Sequence, residues 1–157
     1  MSNKSSHYLK QQHYQENEIL EHAAEILANR YVRGNAFSNP TATQDYLRYK
    51  LGHYEREVFA VLLLDNQHRL IEFKELFQGT VDAASVYPRE VVKAVLEVNA
   101  AAVIFAHNHP SGESTPSQAD KRITTRLKEA LGLIDVQVLD HIVVGETCVS
   151  FAERGLI

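Results

Sequence analysis

The chain has a single cysteine, Cys148, among its 157 residues, so no internal disulfide can staple the fold. Cys148 lies in a strand-like stretch that follows Ile142–Val144, and reads as a small buried hydrophobe, not a nucleophile. No apolar run approaches the roughly 18 residues of a membrane span, and no secretory leader pattern opens the sequence. These absences point to a reducing, cytoplasmic setting with no membrane role. Positive charge is also short: 16 Lys and Arg against 20 Asp and Glu leave a net charge of −4. Such a chain exerts no overall pull on phosphate, so strong binding to nucleic acid is not expected. No internal repeat is visible. What remains has the make-up of an ordinary soluble globule, 45% hydrophobic and 23% charged, long enough for one domain with a real core.

Chemistry is concentrated in one stretch, HNHPSGESTPSQAD at 107–120. It sets two imidazoles two residues apart, then a Ser and an Asp further on. A catalytic zinc takes three protein ligands of the His/Asp/Glu kind and keeps one position open, and this stretch can supply all three. The preceding run Ala100-Ala101-Ala102-Val103-Ile104-Phe105-Ala106 is apolar and uncharged, as a buried strand is. Residues two apart on a strand share a face, so His107 and His109 at its exit can aim at one ion. Pro110-Ser111-Gly112 breaks the strand. Thr115-Pro116 looks like a helix start, with Thr as N-cap and Pro at the first helical position. Ser117 and Asp120 then share a helix face near its positive end. The bland alternative is that Ser117 and Asp120 are a variant capping box and nothing more.

A hydrolytic metal site also needs a base. Arg56-Glu57 precede a second apolar run, Val58–Leu64, and a carboxylate at the start of a buried strand is partly desolvated, which favours base chemistry. Glu55, Glu72 and Glu90 are other candidates, and spacing alone does not choose among the four. Asp140-His141 could be an outer partner of the ligands or a substrate contact, and equally a packed histidine. Lys121, Arg122, Arg126 and Lys128 read by default as a solvated helix face.

Apolar spacing predicts a helix over 17–31 ended by Arg33-Gly34-Asn35, and a short helix over 42–51. Strands follow at 58–64 and 69–73, joined by a turn at Asp65-Asn66. Thr80–Ala84 leads to a helix over 88–99, then a strand over 101–106. The motif helix runs to Leu131 with Ile123, Leu127, Ala130 and Leu131 as its buried stripe. Strands at 135–139 and 141–150 close the sheet. The order predicts an α/β fold, a single layered domain with a mixed β-sheet flanked by helices. Residues 1–39 form an N-terminal helical segment and 40–157 the catalytic-type domain. Gly, Pro and Tyr around 31–49 could belong to a dimer contact.

H-x-H-P followed by S-x-x-D resembles the JAMM motif of MPN-domain metalloproteins. The full string at 107–120, with EREVFAVLLLD at 55–65, GTVDAASVYPREVV at 79–92, LDHIVVG at 139–145 and SFAERGL at 150–156, is similar to the bacterial RadC family within that group. The resemblance covers about residues 40–157 and looks like the short members that lack a helix-hairpin-helix region. It implies an MPN fold of cytidine deaminase-like layering, with His107, His109 and Asp120 as ligands of Zn2+. It further implies Ser117 as the hydroxyl that steadies the tetrahedral intermediate and Glu57 as general base. The activity it implies is cleavage of an amide or isopeptide bond in an unidentified protein or peptide substrate. A nucleobase deaminase, the other zinc-and-Glu chemistry, needs P-C-x-x-C, which one cysteine cannot provide. Two alternatives stay open: a DNA-repair-associated metal-dependent nuclease, which would want a basic groove, and a non-catalytic interaction module.

Overall fold

The computed structural model describes residues 15–27, 29, 39–79 and 85–157. A first helix, α1, covers residues 15–27, followed by α2 (Pro40–Leu51), β1 (Val58–Leu64), β2 (Leu70–Gln78), α3 (Pro88–Glu97), β3 (Ala102–Asn108), α4 (Gln118–Gly132), β4 (Gln137–Val144) and β5 (Cys148–Ser150). The sheet order is β2-β1-β3-β4-β5. Among the described residues only β3 and β4 run parallel, and the other pairs are antiparallel. This is the expected mixed sheet flanked by helices.

Alternation assigns the two faces. Val58, Ala60, Leu62 and Leu64 of β1 pack with Ile104 and Ala106 of β3 beneath α1 and α2, through Ala24, Tyr46, Leu47 and Leu51. Phe59, Val61 and Leu63 pack with Val103 and Phe105 beneath α3 and α4, through Val91, Val95, Ile123, Leu127 and Leu131. β1 and β3 are buried along their whole length, so their apolar runs need no polar alternation. Each fully buried Leu or Phe here contributes about 1.5–3 kcal/mol.

Several boundaries depart from the sequence reading. The strand expected over 141–150 is split into the end of β4 and β5 by a tight turn, in which Gly145 N–H donates to the Thr147 carbonyl. The helix expected over 42–51 begins at Pro40, and the one expected over 88–99 ends at Glu97. β2 continues past residue 73 to Gln78, because Phe77 and Gln78 still pair with Phe59 and Val58. β3 extends through His107 and Asn108. β4 is continuous through Asp140-His141, where a break was expected, since Asp140 is fully engaged by neighbours. The motif helix starts at Ser117 as N-cap, not Thr115: the Thr115 N–H and hydroxyl both donate to Glu113 Oε1, at 3.0 and 2.6 Å, which holds the chain extended through Pro116. Of the predicted stripe on α4, Ala130 is only partly buried. The expected helix stop at Arg33-Gly34-Asn35 and the Thr80–Ala84 segment lie outside the described residues. No helix among the described residues is long and apolar enough to cross a membrane.

Candidate metal centre

β3 and α4 build the centre. His107 continues the Val103/Phe105 face, towards α4, and His109 follows two residues on, beyond the last strand pair. The cap of α4 brings Asp120 to the same point from above. The ligand atoms of His107, His109 and Asp120 all lie within 4.8 Å of one another. His107 Nε2 and His109 Nε2 are 2.9 Å apart. Asp120 places Oδ1 3.3 Å from the first and Oδ2 3.4 Å from the second. His107 and Asp120 are 1% and 3% exposed, whereas His109 is open on one side.

The capping box is present, and its Asp120 also belongs to the cluster that could hold a metal ion. Asp120 N–H donates to Ser117 Oγ at 3.0 Å and Ser117 N–H donates to Asp120 Oδ2 at 2.8 Å. The box therefore orients the carboxylate. Burial alone would raise the Asp120 carboxyl, but hydrogen bonds from His107 and His109 outweigh it and hold it well below the carboxylate range. His109 is raised, first by its hydrogen bond to Asp120 and against burial, with the Glu113 carbonyl and the charges of Asp120 and Glu57 adding to the effect.

Whether the residues fit a cation follows from their outer nitrogens. His109 Nδ1 lies 2.7 Å from the Glu113 carbonyl, which can only accept, so that nitrogen carries the proton. His107 Nδ1 lies 2.8 Å from His141 Nε2. With both rings neutral and the outer nitrogens protonated, two imidazole lone pairs and two carboxylate oxygens converge, and a cation among them would replace the proton that otherwise bridges His109 to Asp120. Two imidazoles and a carboxylate suit zinc with one position open.

Glu57 stands just before β1 and is half-buried. The β1–β3 ladder pairs Phe59 with His107, and continued by two residues it sets Glu57 opposite His109. Its backbone is fixed on three sides. Its carbonyl accepts from Gly79 N–H at 3.0 Å. Asn108 Nδ2 donates to the Arg56 carbonyl at 2.9 Å and Asn108 Oδ1 accepts from Val58 N–H at 2.7 Å. The other carboxylate candidates sit elsewhere. Glu55 is exposed, and Glu72 pairs with Leu63 at the far end of β1. Glu90 faces Lys93 on α3 at 3.7 Å.

Sequence reasoning overlooked Asn108 and Thr124 and left His141 unassigned. Asn108 points away from the ligands, so a pattern of shared faces passes over it. Thr124 lies one turn after Asp120 on α4, a spacing that could have flagged it. His141 reaches the centre through a bulge: Val103 pairs with Val138 but Ile104 with Asp140. The extra residue, Leu139, flips the alternation of β4 and turns His141 to the side of His107. There it is enclosed by Phe59, Phe105 and Phe151, the last stacked at 4.7 Å. Burial, followed by the neighbouring His107, holds its imidazole well below the usual histidine range.

A family model described as RadC-like JAB domain matches residues 37–156. A UPF0758 protein of Vibrio cholerae serotype O1 is 82% identical over 99% of both chains. A second from the same organism is 70% identical over 94% of both chains. A UPF0758 protein of Cellvibrio japonicus is 68% identical over 78% of this chain, which is 55% of its own length.

Proposed function

The chain belongs to the RadC family of JAB-domain proteins, and from that premise we propose that it is a zinc-dependent hydrolase that cleaves an amide or isopeptide bond in a protein or peptide. The observation that carries this reading is the convergence of His107 Nε2, His109 Nε2 and the Asp120 carboxylate, all within 4.8 Å of one another. When bound, the ion supplies Lewis acidity, which brings the pKa of water from about 15.7 towards about 7 and polarises a carbonyl. Glu57, opposite His109, takes the proton of the attacking water and returns it to the leaving amine. Ser117 Oγ already accepts the Asp120 N–H, so its own proton is left to donate to the carbonyl oxygen as charge develops there. The half-open side of His109 is where substrate enters, beside a cleft of about 240 Å³ lined by Tyr54, His109, Gly112, Gly145 and Glu146. The basic residues of α4 share their surface with Glu129 in a chain of net charge −4, which favours a peptide over a phosphate backbone.

Elemental analysis of the purified protein should find about one zinc per chain, lost in His107→Ala and His109→Ala. Glu57→Gln should keep the metal and the fold while abolishing hydrolysis of isopeptide-linked and peptide test substrates. A wild-type protein without metal, or hydrolysis that survives chelation, would sink the proposal.

A further inference from the structure

Behind the ligands lies a closed chain of buried polar groups that the proposed chemistry does not use. Thr124 Oγ1 is 2.7 Å from the carbonyl oxygen of Asp120 and 2.5 Å from His141 Nδ1. His141 Nε2 is 2.8 Å from His107 Nδ1. His107, Thr124 and His141 are each no more than 2% exposed, and no buried side-chain polar atom among the described residues lacks a partner.

The polarity of this chain follows by elimination. A hydroxyl has one proton, and a carbonyl can only accept, so the Thr124 proton goes to the Asp120 carbonyl. Thr124 Oγ1 then meets His141 Nδ1 with a lone pair, so Nδ1 must carry the ring proton of His141. A neutral imidazole has one N–H, and His141 Nε2 is left as an acceptor. It faces His107 Nδ1, which must therefore be the protonated nitrogen of His107. The bare nitrogen of His107 is Nε2, the one aimed at His109 and Asp120.

We propose that Thr124 and His141 are positioning residues that fix the tautomer of His107 and so present its Nε2 lone pair to the metal. The relay starts on the backbone of one ligand, Asp120, and ends on the ring of another, so α4 sets both the carboxylate and the imidazole it works with. Its opposite sense would put a proton on His107 Nε2, where the ion has to bind. Outer partners of this kind typically govern 10–100-fold of metal affinity. The proposal rests on the metal reading of the His107–His109–Asp120 cluster, and its test separates the two.

The test uses Thr124→Val, which keeps the shape and removes the hydroxyl, and Thr124→Ser, which restores it. Zinc affinity is measured by competition with a chromophoric chelator, and histidine tautomers by 15N–1H spectra of the imidazoles, with and without zinc. Wild-type His141 should show a protonated Nδ1 and a bare Nε2. Thr124→Val should weaken zinc by about 10–100-fold and lose that single tautomer, and Thr124→Ser should recover most of both. A protonated His141 Nε2 in the wild type, or full zinc affinity in Thr124→Val, would overturn the relay and leave the metal site standing. A wild type that binds no zinc would instead overturn the metal reading, and the His141 tautomer of the metal-free protein would still decide the sense of the relay.

Discussion

Replacing Asn108 by Ala should separate the fixing of Glu57, the proposed general base, from the binding of the proposed metal. The Asn108 side chain is 2% exposed and makes three hydrogen bonds to the segment around Glu57: from Val58 N–H at 2.7 Å, to the Arg56 carbonyl at 2.9 Å and to the Tyr54 carbonyl at 3.3 Å. Truncation leaves them unequal. Val58 is fully buried, so its N–H loses its acceptor with no water to replace it, at a cost of about 1–3 kcal/mol. The Arg56 and Tyr54 carbonyls lie near solvent and can turn to water, so together they add about 1 kcal/mol. The sum, about 2–4 kcal/mol, is a large share of the roughly 5–15 kcal/mol that keeps a domain folded, yet it leaves the chain folded.

Urea titration monitored by circular dichroism reads this cost directly, and a melting temperature lowered by roughly 5–15 °C is its thermal counterpart. Because Asn108 touches no ligand, zinc content should stay at the wild-type level. Hydrolysis should fall steeply, since a displacement of about 1 Å in a catalytic group can cost about 100-fold. Asn108→Asp keeps the acceptor for Val58 but turns an oxygen onto the Arg56 carbonyl, so it should be no better than Ala at neutral pH and partly recover on acidification. A loss below about 0.5 kcal/mol in Asn108→Ala, or unchanged hydrolysis with full zinc, would refute the reasoning.

Two further outcomes follow from the same region. Gly145 has no room for a side chain: an added Cβ would stand 2.4 Å from the Gly112 carbonyl oxygen and 3.0 Å from the Ser114 Cβ. Gly145→Ala should therefore push aside the loop whose Glu113 carbonyl holds His109 Nδ1. Competition titration should show zinc weakened by about 10–100-fold, and wild-type affinity would contradict the account. The Asp140 carboxyl is raised by burial, against the hydrogen bonds it accepts from Ser150, Ala152 and His141. A raised folded value gives a contribution that is full below the unfolded pKa of about 3.9 and lost as pH rises through the folded value. Urea midpoints should thus show Asp140→Asn gaining on the wild type as pH rises above about 3.9, and a gain in the opposite direction would count against it.

The parts of the fold and site that were legible in the sequence share a cause. β1 and β3 are buried on both faces, so they appear as unbroken apolar runs whatever their neighbours. His107 and His109 could be paired because two-residue spacing on one strand is local geometry, and Asp120 because it is three residues from its own cap. What was hidden depends on chain crossing between strands. Asn108 acts through the backbone of residues 54–58, reachable only once β1 is known to lie beside β3. The start of α4 was misplaced because Thr115-Pro116 has the right residues for a cap, yet the Glu113 carboxylate claims the Thr115 donors first. His141 is the sharpest case. Val136 and Val138 face the α3/α4 layer, and strict alternation from them would turn His141 to the other side of the sheet, under α2. The bulge at Leu139 reverses that. Pairing Leu139 with Ile104, with no bulge, would turn His141 to the other face and leave His107 Nδ1 without its acceptor, so the tautomer proposed for His107 depends on a backbone irregularity with no side chain of its own to announce it.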